Sequence, residues 1–198
     1  MSLLSFFLYV FVTSFTPGPN NIMAMVFANR FGLRNTIRFC LGVSAGFFVI
    51  MILCSYFNLL LHQFIPRIEL IMTIIGVIYM LFLAIKIMTS KSDDQNNNDD
   101  KHNGFLIGML LQFINPKGIL YGVTVISTFI LPYHTSHTSL IFFSIFLAFV
   151  GFLSTFSWSV FGSIFQSFLA KYRSQFNVIM ALLLMYSAGS ILVGYFIR

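Results

Sequence analysis

Acidic side chains are nearly absent from this chain. There are five in 198 residues, and all four aspartates fall in one polar run, Asp93, Asp94, Asp99 and Asp100, with Glu69 the remaining acid. Charged residues of both signs make up only 8%, where a soluble domain carries about 25%. With 58% hydrophobic residues, a chain of this size cannot hide its apolar surface from water, so its solvent is lipid. Cysteine is scarce too. Cys40 and Cys54 lie in one apolar stretch, about 21 Å apart along a helix, too far for a disulfide and without metal-ligand spacing. No Lys or Arg precedes Arg30, so the N-terminus lacks the basic start of a signal peptide. Nucleotide-binding loops, zincin motifs and nucleophile motifs are likewise missing, and a membrane-embedded enzyme would need positioned acid–base or metal groups that the apolar runs do not supply. No catalytic residue, cofactor or metal site is expected.

What the chain has is long apolar runs. A span of hydrocarbon takes about 20 residues, and six runs qualify: Ser2–Ala28, Cys40–Leu61, Ile68–Met88, Gly104–Leu131, Leu140–Phe165 and Phe176–Ile197. The expectation is an all-α polytopic membrane protein forming a single transporter domain over 1–198. Residues 1–88 form a first three-helix half, 89–103 a polar linker, and 104–198 a second half. The linker "SDDQNNNDD" is low in complexity and has nothing to bury, so it reads as a flexible connection.

Orientation follows from the bases. Arg30, Arg34, Arg38, Lys86, Lys91, Lys101, Lys171 and Arg173 fall on one side of a six-span chain, against Arg67 and Arg198 on the other. Basic loops face the cytoplasm, which places both termini outside. The net charge of +6 is thereby a topology signal, and nucleic acid is not an expected partner.

Two of the runs are interrupted. Span 1 contains "FTPGPNN", Phe15 to Asn21, and span 4 contains "FINPKGILYG", Phe113 to Gly122. Three spans per half start the second half on the opposite side of the membrane, and matching breaks in the opening span of each half suit an inverted-topology repeat. Proline removes a backbone donor and unseats the residue before it. Backbone groups freed in this way survive in a membrane only when buried in protein or lining a cavity. Half-helix N-termini suit a carboxylate, and unwound carbonyls suit a cation, so paired breaks suit a zwitterion. The candidate substrate-binding residues are Pro17, Gly18, Pro19, Asn20, Asn21, Gln112, Asn115, Pro116 and Lys117. The alternative for either break alone is a packing kink. Lys117 is the one charge deep in a span and is a candidate partner for a substrate carboxylate; the alternative is a lysine snorkelling to an interface. With no acid inside a span, a cationic substrate has no counter-charge, which favours a neutral or zwitterionic one.

Gly42 and Gly46 form a Gly-x-x-x-Gly spacing that allows close helix approach, within the monomer or, as the alternative, in a homodimer. Ser44 lies between them and is a candidate for the cavity. Trp158, the only tryptophan, lies deep in span 5, to line a cavity or to pack. His134 and His137 are too few for a metal site.

"TPGPNNIMAM" and "NPKGILYG" resemble the LysE/RhtB family of bacterial amino-acid exporters, and the likeness runs over nearly the whole chain. "GVTVISTFILP", "LAFVGFLSTFSWSVFG" and "FNVIMALLLMYSA" are similar to its cysteine/O-acetylserine branch. The resemblance implies inner-membrane efflux of small amino acids, coupled to protons. Another neutral amino acid such as homoserine or threonine, or a non-transporting accessory role, is the alternative. Basic-amino-acid exporters of the family carry an acid in an early span; "RFCLGVSAGFFVIMILCSYF" has none, and the proton carrier is left without a candidate.

Overall fold

The computed structural model describes residues 3–89, 104–165 and 171–196, and the side chains at 59–69, 72, 173 and 196 lie outside that description. The linker at 90–103 therefore falls outside the described residues. Among those residues the chain is helical, with no strand. The helices are α1 (Leu3–Phe15), α2 (Pro19–Phe31), α3 (Leu33–Tyr56), α4 (Asn58–Thr89), α5 (Gly104–Ile114), α6 (Pro116–Val125), α7 (His137–Ile164) and α8 (Arg173–Phe196). A π-helical turn, Ile126–Ile130, extends α6.

Among the described residues three helices are long and apolar enough to cross a membrane, at Leu33–Tyr56, His137–Ile164 and Ser174–Tyr195. The pair Gly104–Ile114 and Pro116–Ile130 passes the same measure only when taken together, and its axes turn by 65° at the break, as in a broken span or a re-entrant loop. Leu3–Phe15 and Thr73–Thr89 are shorter apolar helices. The segment "HQFIPR", expected to separate two spans, is instead helical. The turn falls earlier, at Phe57, and α4 runs unbroken for 32 residues. At 1.5 Å per residue α4 is about 48 Å long, well beyond the roughly 30 Å of hydrocarbon, so its ends reach past the apolar layer.

Local chemistry sets the helix boundaries. Gly32 joins α2 to α3 with φ 78°, a conformation a side chain disfavours, and its N–H closes onto Ala28 O at 3.0 Å. Ser136 caps α7, its hydroxyl accepting from Ser139 N. Pro19 and Pro116 begin α2 and α6, where a missing N–H costs nothing.

Packing is apolar on both sides of most helices. Along α4, Thr73, Gly76, Met80, Leu83, Ala84 and Ile87 turn inward, while Ile71, Ile74, Ile75, Ile78, Phe82 and Ile85 are exposed. In α1, Phe6 and Val10 are buried, while Leu4, Phe7, Leu8 and Phe11 are exposed. A surface of this kind needs lipid tails for solvent.

The buried residues form two clusters. One joins α2, α3, α4, α5 and α8 through residues such as Ile22, Phe39, Met80, Leu111 and Leu184. The other joins α1, α3, α6, the π-helical turn and α7 through Phe6, Met51, Val125, Ile126 and Leu147. The two helices flanking each break thus belong to different clusters, and the breaks lie where the clusters meet. Small residues bring the backbones together. A Cβ on Gly42 would sit 1.9 Å from Phe105 O, and one on Gly46 2.8 Å from Met109 O, so this pair packs α3 against α5 of the same chain.

Candidate functional site

The first break exposes the C-terminal end of α1. Its last carbonyls have no intrahelical donors, and side chains from four other helices supply them. Asn21 Nδ2 donates to Ser14 O at 2.9 Å and to Thr16 O at 3.0 Å. Ser154 Oγ reaches Ser14 O at 2.7 Å and Asn21 Oδ1 at 3.2 Å. Trp158 Nε1 donates to Phe15 O at 3.2 Å, and Ser187 Oγ, which donates to Leu183 O at 2.9 Å, shares that proton with Pro17 O at 3.4 Å. Lys117 completes the set. Its Nζ donates to Thr16 O at 3.1 Å, Thr16 Oγ1 at 2.9 Å and Pro17 O at 3.3 Å. An ammonium has three protons, and these three oxygens take them all. A cation thereby sits at the negative end of the α1 dipole, supplied by the other broken span.

The N-terminal ends behave differently. Gly18, in extended backbone, precedes α2, and Asn115 precedes α6; neither gives a side-chain hydrogen bond to the first turn. Asn20 Nδ2 donates to Gln112 Oε1 and ties the two breaks together. Its own Oδ1 is buried with no hydrogen-bond partner, and so is Asn115 Oδ1. Gly118 lets Gln112 approach, since a Cβ there would be 2.4 Å from Gln112 Nε2. Gly76 of α4 does the same for Pro116, at 2.3 Å.

Between these groups lies a cavity of about 60 Å³. Of the residues expected from sequence, Gly18, Asn20, Asn21, Gln112, Asn115 and Lys117 line it. Pro17, Pro19 and Pro116 do not; they shape the backbone behind the wall. Sequence reasoning missed Thr13, Ser14, Tyr121, Ser154 and Thr155, which add five hydroxyls. A signal was present for some of them. Gly151, Ser154, Thr155, Trp158 and Gly162 recur at helical spacing in an apolar run, and α7 turns this stripe toward α1, α2 and α3. Tyr121 stacks on Phe47 at 5.5 Å, and its buried hydroxyl faces that of Ser14. Ser44, a candidate for the cavity, instead donates to Ala148 O at 2.9 Å. His137 Nδ1 lies 3.1 Å from Tyr56 OH, and among the described residues no three His, Cys, Asp or Glu are placed to share a metal ion.

The wall thus carries one cation, no carboxylate, two unpaired amide oxygens and two uncapped helix N-termini. Helices that are apolar on the outside and enclose such a chamber at two opposed breaks have the build of a membrane translocator, not of an enzyme. Comparison with known sequences agrees. The profile of the LysE type translocator family matches residues 11–195, and the chain belongs to that family. A cysteine/O-acetylserine efflux protein of Salmonella typhimurium (strain LT2) is 42% identical over 188 residues, 95% of this chain and 96% of that protein. A protein of the same description from Escherichia coli (strain UTI89) is 37% identical over 184 residues, 93% and 94% of the two chains. No solved structure matches the chain.

Proposed function

We propose that this protein exports small neutral amino acids or their derivatives, with cysteine and O-acetylserine as its main substrates, across the bacterial inner membrane. The observation that carries the reading is the composition of the cavity wall. The unpaired Asn20 Oδ1 and Asn115 Oδ1 suit a substrate ammonium. The first-turn N–H groups of α2 and α6 suit its carboxylate. The three protons of Lys117 are spent on Thr16 and Pro17 in this conformation, so the carboxylate is left to those N–H groups. A second ammonium or a guanidinium on the substrate finds no acid to pair with. Small volume and scarce charge favour a short, uncharged side chain, and the efflux relatives point to cysteine and O-acetylserine.

In this reading the chain has six spans in two inverted three-helix halves, with both termini outside. The halves rock about the meeting point of the two apolar clusters, and the proton gradient supplies the energy. The pairing of α1 with α6 in one cluster and α2 with α5 in the other supports the inverted arrangement. The test is efflux of labelled O-acetylserine, cysteine and lysine from proteoliposomes, with and without an imposed pH gradient. Release of the first two, faster with the gradient, is expected; strong lysine export would overturn the electrostatic reasoning.

A further inference from the structure

We propose that Lys117 is the proton carrier of transport, a tethered cation that yields its place at the α1 terminus to the substrate. This rests on the export reading above and adds its coupling residue. The geometry is that of a cation site. Two backbone carbonyls and one hydroxyl, all from the break in span 1, converge on a single charged nitrogen at 2.9–3.3 Å. An unwound helix end with converging oxygens can hold a free metal cation; here a side chain from the other half fills the position. Gly18 presses against the same amine, since a Cβ there would lie 3.2 Å from Nζ. The only way to remove this cation without tearing the lysine from its carbonyls is to remove its proton.

The surroundings leave Lys117 alone in this role. Of the residues lining the cavity, Lys117 and Tyr121 titrate. Behind them Tyr9 of α1 stacks near Tyr121, Cys54 of α3 lies against Gly122, and α4, which meets Pro116 through Gly76, carries Tyr79. From α2, α5, α7 and α8 come Asn20, Asn21, Gln112, Ser154, Thr155 and Ser187, none of which titrates. Among the described residues no carboxylate faces the site from these elements. A substrate ammonium seated at the α1 terminus would compete with a charged Lys117 for the same oxygens of Thr16 and Pro17, so each excludes the other there.

The cycle balances. Open to the cytoplasm, the Lys117 ammonium loses one proton to water, and the N–H electron pair stays on nitrogen. The zwitterion then enters beside a neutral amine. Open to the outside, the amine takes a proton from water, and the restored charge expels the substrate. One proton enters for each amino acid that leaves, and no sodium is needed.

The test uses the full chain in proteoliposomes, with a pH-sensitive dye inside and labelled O-acetylserine as the probe. Wild type is expected to move protons against substrate, equally well in sodium and in choline buffers. Lys117→Gln keeps a donor for the carbonyls but cannot titrate, and Lys117→Arg stays charged throughout. In both, substrate-linked proton movement is expected to fall to background, whatever exchange remains. Either variant coupling as wild type does, or a sodium requirement in wild type, would overturn the proposal. If neither variant reaches the membrane, Thr16→Val decides. It removes one acceptor for the charged form, so the upper pH midpoint of coupled flux should drop by about half a unit; an unmoved midpoint overturns the proposal. Amino-acid exchange without proton movement in wild type sinks the coupling alone, whereas absence of all exchange sinks the export reading and the coupling with it.

Discussion

Asn20 and Asn21 are neighbours with opposite assignments, and replacing each by Leu separates them. Asn21 is a structural clamp: it gives two hydrogen bonds to α1 carbonyls, while the single hydroxyl proton of Ser154, 3.2 Å from Asn21 Oδ1, goes to Ser14 O. Both carbonyls keep another donor after its loss, Ser154 for Ser14 O and Lys117 for Thr16 O, so no backbone group is stranded. The cost is then the net value of the lost bonds, about 2 kcal/mol at roughly 0.5–1.5 each. For a chain of this length that lowers Tm by about 4–8 °C. Asn20 gives one bond, to Gln112, and holds an oxygen that is buried without a partner. Removing it strands Gln112 Oε1 but also removes an unsatisfied atom, and these two terms, each about 1–3 kcal/mol, largely offset one another. Asn20→Leu should therefore melt within about 2 °C of wild type. If Asn20 Oδ1 receives the substrate ammonium, its loss removes about 1.5–3 kcal/mol of binding, a roughly 10- to 150-fold rise in half-saturating substrate. The assay is thermal unfolding in detergent beside concentration-dependent uptake into everted vesicles. Equal destabilisation of the two variants, with wild-type affinity in Asn20→Leu, would refute the division of roles.

Gly42→Ala should destabilise strongly, because the new carbon meets the Phe105 backbone at 1.9 Å and backbone cannot rotate away; the overpacking cost is about 1–3 kcal/mol or more. Gly189→Ala, with nothing within 4 Å, should melt at or above the wild-type temperature, and reversal of that order would contradict the α3–α5 contact. Replacing Pro17 and Pro19 together by Ala favours a continuous span 1, so the variant should insert normally and lose export; wild-type export from it would reduce the break to packing. Reporter fusions near Asn97 should read as cytoplasmic and fusions after Arg198 as external, and a cytoplasmic C-terminus would end the six-span proposal.

Scarce charge and long apolar runs determined that the chain lives in lipid and is helical, because so few charges cannot be reconciled with water and a run of about 20 apolar residues suits a spanning helix, not a barrel strand of about 10. The prolines also declared themselves, since a missing N–H breaks a helix whatever surrounds it. Several residues were legible because their chemistry is out of place in an apolar run: Asn20, Asn21, Gln112, Asn115 and Lys117 all line the cavity. Which partner each one meets was not legible. Lys117 reads in sequence as a ligand for a carboxylate, yet it is held by Thr16 and Pro17, about a hundred residues away. The hydroxyls of Ser154 and Thr155 look like ordinary helix residues until α7 turns them toward α1 and α2. The extent of α4 through "HQFIPR" was likewise hidden, because polar residues and one proline mark a loop in sequence while a helix lengthened past the membrane tolerates them. Local propensity is a property of a few neighbouring residues and can be read directly. The filling of a broken helix end depends on which distant side chains the packing of two apolar clusters brings within about 3 Å, and only the tertiary structure decides that.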